Sequence, residues 1–197
     1  AILGAGLMGR LLAVTLARAG HAVTVHEAQD ASGQGSAARV AAAMLAPLAE
    51  SAVTEPGVVR MGMHALTRWP QLLAQLQMPV FFQQNGTLVV WHRQDAQEAA
   101  RLRLQFETTH AALPTLPAMQ ALGSEGVAQA EPALAGRFAQ GMYLPGEGQL
   151  DNRQLLAALA HAMEQLGVDV HWNSPNDPSN FAPGTPGQPD WLLDCRG

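Results

Sequence analysis

Among its 197 residues the chain has a single cysteine, Cys195. That excludes an internal disulfide framework and fits a reducing, cytoplasmic compartment. Charge is scarce as well. Asp, Glu, Lys and Arg make up only 14% of the residues, no run of Lys and Arg occurs, and the net charge is −5. An acidic chain without a basic tract does not suit a nucleic-acid or anionic-membrane partner. No uninterrupted apolar stretch reaches the roughly 18–20 residues of a membrane-spanning helix. The first residues do not read as a signal peptide, because no basic segment precedes them and glycines break the apolar run. The 7 histidines show neither H-E-x-x-H nor a Cys/His ligand spacing, so no metal site is expected.

What is present is apolar and regular. Hydrophobic residues reach 48%, enough to bury one generous domain or two small ones. "AIL" reads as the end of a strand, "LMGRLLAVTLARAG" as a helix stopped by Gly20, and "HAVTVHE" as a strand parallel to the first. A Gly/Ser loop then leads into the alanine-rich "SAARVAAAMLAPLAE", where Pro47 limits any helix entered near Ala37. "PGVVRMGMHALTRWPQLLAQLQ" reads as a helix interrupted at Pro70. "VFFQQNGTLVVWH" carries the pattern of a hairpin with its tip at Asn85-Gly86. A helix capped at Asp95, a short helix at "GSEGVAQAEPALA" and strand-and-loop at "FAQGMYLPGEGQL" follow. Then come a helix capped at Asp151 or Asn152 and stopped by Gly167, a strand at "VDVHW", a loop rich in proline, and a last strand at "DWLLDCRG".

This order predicts an α/β fold: a Rossmann-like domain interrupted by an α+β domain with antiparallel strands. The expected boundaries are 1–79 and 148–197 for the first domain and 80–147 for the inserted one. The chain starts inside a strand without methionine and stops on a strand, so a fragment of a longer protein is expected.

Gly4, Gly6 and Gly9 fit G-x-G-x-x-G between a strand and a helix. The spacing serves a tight turn, close backbone approach to a pyrophosphate, and close helix–strand packing. The start of the helix offers free N–H groups and a positive dipole end. Glu27, at the end of the second strand, has the carboxylate that accepts from the hydroxyls of an adenosine ribose and repels a 2′-phosphate. A structural turn needs none of this context, so dinucleotide binding is the stronger reading. The loop alone does not separate NAD from FAD, and "GAGLMG" is similar to the opening of NAD-dependent hydroxyacyl and phosphogluconate dehydrogenases. By itself "AAAMLAP" reads equally well as a buried helix.

The combination of "GAGLMGRLLAVTLARAGHAVTVHE", "AAAMLAPLAE", "GEGQLDNRQLLAALAHAMEQLGVDV" and "LLDCRG" resembles the FAD-dependent D-amino-acid oxidase superfamily, most closely the glycine oxidases of thiamine biosynthesis. The resemblance implies FAD as cofactor. It implies that Gly4, Ala5, Gly6, Leu7, Met8 and Gly9 meet the pyrophosphate, with Glu27 and the adjoining Ala28 at the adenosine ribose. Arg39 would pass the phosphates, and Ala42, Ala43, Met44 and Leu45 would border the isoalloxazine ring. The family often has glycine where this chain has Ala43. Its proline-rich loop after "VDV" also departs from the family pattern, which leaves the adenine contact unassigned.

The implied reaction passes a hydride from the α-carbon of a small amine or amino acid (glycine, sarcosine or a D-amino acid) to flavin N5, giving an imine. Oxygen or another acceptor then reoxidises the flavin. The Arg and Tyr that clamp the substrate carboxylate come from a later part of the family's chain, so no catalytic residue is assigned here. Cys195, Asp194, Arg196 and Tyr143 read as structural. Alternatives are an NAD-dependent dehydrogenase and a non-catalytic dinucleotide-binding domain, and a homo-oligomer is left open.

Overall fold

Parallel pairing of short apolar strands organises the first of two compact units in the computed structural model, which describes residues 1–197. In chain order the elements are β1 (Ile2–Leu3), α1 (Leu7–Arg18), β2 (Thr24–His26), α2 (Ala37–Val40), β3 (Met44–Leu45), α3 (Pro56–Leu73), β4 (Phe82–Gln83) and β5 (Thr87–Val90). They continue with α4 (Ala96–Ala112), β6 (Gln120–Gly123), α5 (Ser124–Ala130), β7 (Gln140–Leu144), β8 (Gly148–Leu150), α6 (Asn152–Gln165), β9 (Asp169–His171) and β10 (Leu193–Asp194). One unit comprises Ala1–Ala43, Leu73–Phe81 and Asp151–Gly197; the other comprises Met44–Leu72 and Phe82–Leu150.

The first unit is a parallel sheet in the order β10-β1-β2-β9. Ile2 pairs with both Leu193 and Val25, and Val25 with Val170, so the apolar centres of the strands coincide. Helices α1 and α6 contribute the buried Ala13, Val14, Leu155, Leu159 and Met163. Helix α6 starts where expected: the Asp151 side chain accepts from the N–H groups of Arg153 and Gln154. Gly20 and Gly167 follow their helices with φ of 88° and 70°, a conformation that glycine reaches without a Cβ penalty. No helix is long and apolar enough to cross a membrane.

The alanine-rich stretch does not form a buried helix. Helix α2 ends at Val40 and buries no residue, and Ala41 is extended. The Asn152 side-chain amide donates to the carbonyls of Ala38 and Ala41. It takes up acceptors that a longer helix would use, which is how a side chain competes with helix propagation. Ala43 then adopts a φ of 56°, the left-handed region that is costly for any residue with a Cβ. The turn therefore explains physically why glycine suits this position.

The second unit holds two antiparallel sheets, β3-β8-β4 and β5-β7-β6, and a core of Leu48, Val59, Phe106, Leu116, Met142 and Leu144. The hairpin expected at Asn85-Gly86 does not form. Strand β4 pairs with β8 and β5 with β7; the two runs lie along one returning segment, which carries one extra residue between Leu144 and Gln149. Gly86, at φ 80°, makes a kink in place of a reversal, and its N–H donates to the Glu147 carbonyl at 2.9 Å. The Tyr143 ring fills the space over Gly86 and its hydroxyl donates to the Asn85 carbonyl at 2.8 Å. Both runs thus pair with the same returning segment, which pairing with each other would prevent. Helix α3 also runs unbroken through Pro70, whose missing N–H falls in the last turn. Asp95 occupies the N-cap position of α4 but its side chain makes no capping bond.

Glu147 anchors this unit. None of its surface is exposed (0%), and its Oε1 accepts from the N–H groups of Leu48 at 2.6 Å and Ala49 at 3.0 Å. Burial raises the carboxyl pKa above its ordinary value, opposed by the Thr87 side chain and these two N–H groups. A carboxyl with a raised folded pKa binds more protons folded than unfolded. Its contribution to stability is therefore full below the unfolded value of about 4.3 and is lost as pH rises toward the folded value. Glu147→Gln, which keeps the acceptor oxygen, is expected to flatten that loss in urea unfolding measured across pH. Glu147→Ala, which strands two buried N–H groups, is expected to cost about 2 kcal/mol. Ala43→Gly is expected to raise stability by about 0.5–1 kcal/mol by removing the left-handed strain; an unchanged or lower urea midpoint contradicts that account.

Candidate functional site

The loop between β1 and α1 uses its three glycines in three ways. Gly4 has a φ of 90°, and a Cβ there would lie 2.9 Å from the backbone of Cys195. Its N–H donates to the His26 carbonyl at 2.8 Å, joining the loop to β2. A Cβ on Gly9 would sit 1.9 Å from the Gly4 carbonyl oxygen, so only glycine lets α1 begin against the end of β1. Gly6 is different: a Cβ there would meet only the Ser36 hydroxyl, at 3.5 Å, which leaves its face open. Gly6 is also the N-cap of α1, without a side-chain cap and with no acidic residue in the first turn. The leading N–H groups of the helix are left unpaired and carry the positive end of its dipole.

Glu27 faces this loop from the end of β2. Its Oε2 accepts from the Ala5 N–H at 2.6 Å and its Oε1 from the Gln29 N–H at 2.9 Å. The carboxylate is therefore held at two points, with further acceptor capacity toward the cleft. Beside it the His26 and His171 rings stack at 4.9 Å, and Asn176 Nδ2 lies 3.1 Å from His26 Nδ1. Burial holds the His26 pKa below its ordinary value, with the His171 charge acting the same way and Asp169 opposing.

The proline-rich loop, unassigned from sequence, is tied to the same strand end. The Ser174 N–H donates to the Glu27 carbonyl at 2.8 Å, and the Asn173 N–H to the Gln29 carbonyl at 2.9 Å. Behind it, Cys195 donates its N–H to the Leu3 carbonyl at 2.7 Å, and burial raises its thiol pKa, with Asp194 adding to the shift. Arg196 pairs with Asp194 at 2.7 Å and holds the Asp194 carboxyl down to about 2. These residues tie down the end of β10.

Together these segments enclose a cleft of about 590 Å³, a volume typical of small-molecule sites. Of the residues singled out from sequence, Gly4, Ala5, Gly6, Leu7, Met8, Glu27 and Ala28 line it. Gly9 lies behind the loop. Arg39 is not a lining residue; its Nη1 donates to the Ser32 carbonyl at 3.1 Å, fixing the loop that brings Gly33 and Gly35 to the rim. Ala42 and Ala43 do not line it either, and Met44 and Leu45 form β3 in the second unit, with Met44 exposed. Sequence reading missed His26, Pro175, Asn176, Cys195 and Arg196 as lining residues. Only the strand pattern around Cys195 hinted at a position next to the loop.

The donor set suits a dinucleotide. Unpaired helix N–H groups and an open glycine face meet the needs of a pyrophosphate, and a fixed carboxylate at the far strand end meets those of a ribose. No ligand detail is required for that fit: a Cβ at Gly6 would occupy the approach.

Comparison with known proteins agrees with this chemistry. Residues 1–177 match the model of the DAO family, described as FAD dependent oxidoreductase. A Rhizobium etli protein provisionally named as the thiamine biosynthesis oxidoreductase ThiO is 34% identical over 161 residues, covering 82% of this chain and 44% of the relative. The crystal structure of glycine oxidase from Geobacillus kaustophilus matches with a TM-score of 0.72 and 26% identity, covering 87% of this chain and 45% of that one. Iminodiacetate oxidase from a Chelativorans species shares the fold, with a TM-score of 0.70 at 20% identity over 87% of this chain and 46% of that one. The chain thus spans a little under half the length of these relatives. The family's cofactor is FAD, which removes the NAD-dependent alternative. The chain belongs to the DAO family of FAD-dependent oxidoreductases.

Proposed function

We propose that the full-length protein oxidises a small amine or amino acid to an imine. Glycine, sarcosine or a D-amino acid would be the substrate, and oxygen or another small acceptor the oxidant. The observation that carries the reading is the cleft in which Gly4, Gly6 and Glu27 converge, in a chain of an FAD-dependent family. The name of the Rhizobium relative supports a role in thiamine biosynthesis. The single cysteine fits a cytoplasmic setting.

In this reading the first unit serves as the FAD-binding domain and the second as part of the substrate domain. The Gly6 face and the start of α1 hold the pyrophosphate, and Glu27 accepts from the ribose hydroxyls. Ala28 adjoins the ribose, Gly9 lets α1 approach the strand, and Arg39 steadies the neighbouring loop. Ala42, Ala43, Met44 and Leu45 are assigned to the isoalloxazine border by the family resemblance. When bound, FAD supplies the acceptor for a hydride from the substrate α-carbon, and the protein's share is orientation and exclusion of water. The residues that clamp the substrate carboxylate are assigned outside residues 1–197, so this segment alone is expected to hold much of the flavin site without turnover.

The test is a substrate panel on the purified full-length protein: glycine, sarcosine, iminodiacetate and D-amino acids, read by bleaching of the flavin band without oxygen and by peroxide release with it. Bleaching by one class of amine is the expected result; a flavin band that no amine reduces would sink the reading. Glu27→Ala is expected to weaken FAD retention by about ten- to a hundredfold, the effect of losing a charged hydrogen-bond acceptor. Equilibrium dialysis of the stripped protein against FAD measures it.

A further inference from the structure

Arg10 stands out in the first unit as a buried charge that the cofactor cleft does not expose. Only 1% of its surface is accessible. Its Nε donates to the Ala5 carbonyl at 2.6 Å, its Nη1 to the Leu156 carbonyl at 2.7 Å, and its Nη2 to the Ala31 carbonyl at 3.1 Å. The guanidinium lies 5.4 Å from the centre of the Trp172 ring. One side chain thus ties the glycine loop to α6, to the loop after β2 and to the end of β9. Every one of these partners is neutral, and Arg10 forms no ion pair.

Two consequences follow from the geometry. First, a trans peptide places its N–H opposite its C=O. Arg10 draws the Ala5 carbonyl inward, so the N–H of the same peptide, that of Gly6, points outward, where Gly6 lines the cleft. The Ala5 N–H is held on its other side by Glu27 at 2.6 Å, which fixes the preceding peptide as well. Second, an Arg side chain keeps its charge when buried; Glu27, across Ala5, attracts that charge without forming an ion pair with it, and the desolvation cost outweighs the attraction. The Arg10 charge lies just beneath the cleft, where Ala5, whose carbonyl it holds, and the neighbouring Gly33 are lining residues. A dianion at the loop would offset that cost; a neutral ligand would not.

We propose that Arg10 is a positioning residue for the FAD pyrophosphate: from beneath the loop it aims the Gly6 N–H at the cleft and supplies the buried positive charge that the diphosphate balances. The proposal rests on this cleft being the FAD site.

The experiment compares the binding of ADP, FAD and adenosine by the flavin-stripped full-length protein and its Arg10→Gln and Arg10→Lys variants. Isothermal calorimetry gives the affinities, and thermal unfolding of each unliganded protein gives its stability. Arg10→Gln is expected to weaken ADP and FAD by about tenfold or more while adenosine changes by less than about twofold. Arg10→Lys keeps the charge without the planar fork, so its loss of ADP affinity should be smaller, about threefold, with adenosine again unchanged. Parallel weakening of ADP and adenosine, the mark of a merely loosened fold, overturns the proposal; so does unchanged ADP binding. Should Arg10→Gln fail to fold, the same ratio in Arg10→Lys decides. A wild-type protein that binds neither ADP nor FAD overturns the cleft assignment itself, a distinct result.

Discussion

The close approach of Gly9 to the Gly4 carbonyl is the constraint on which the cleft at the glycine loop depends. With no side chain at either residue, α1 starts directly against the end of β1. Its unpaired N–H groups then open onto the cleft, and its fourth residue, Arg10, reaches back beneath the loop to the Ala5 carbonyl. Glu27 grips the same alanine through its N–H. The loop is therefore held from two directions by two opposite charges. The two attract one another across Ala5 without forming an ion pair: Arg10 bonds only to carbonyls, and Glu27 accepts from backbone N–H groups. A loop held this way is preformed for a ligand with a dianionic centre and a hydroxyl-bearing end.

The second unit solves a related problem with one acid. Glu147, buried in the turn before β8, accepts from the two N–H groups at the start of the 3-10 turn Ala49–Ala52. It ties the chain just beyond β3 to the returning segment that also pairs with β4 and β5. In both units, then, a buried charged side chain organises backbone groups that are distant in sequence. Desolvation still outweighs the hydrogen bonds at each, raising the Glu147 pKa and lowering that of Arg10, and Glu147 Oε2 is buried without a partner.

Much of the first unit was legible in advance. The βαβ opening, the Asp151 cap, the glycine stops at Gly20 and Gly167 and the final strand each carry a local signal, because helix ends and tight turns demand particular residues within a few positions. Gly4, Gly6 and Glu27 could be named for the same reason, whereas Ala5, Leu7, Met8 and Ala28 came from the family resemblance. The misreadings share a cause. Asn85-Gly86 carries a sound turn signal, yet what pairs with each flanking run is decided by a segment more than fifty residues away. The alanine run has the propensity for a helix, yet Asn152 takes its carbonyls from a distance. The proline-rich loop has no periodicity to read, and its place beside His26 follows from pairing with β2's end.

Spacing and residue type by themselves determined the glycine loop, its acidic partner and the parallel order of the strands that carry them, since each follows from backbone conformation over a short stretch. The tertiary structure alone decided that Arg10 turns inward under the loop, that Cys195 and Asn176 wall the cleft, and that Glu147 is buried. Those outcomes depend on which carbonyls and N–H groups are left without partners once the sheets have formed, and that inventory exists only in the folded chain.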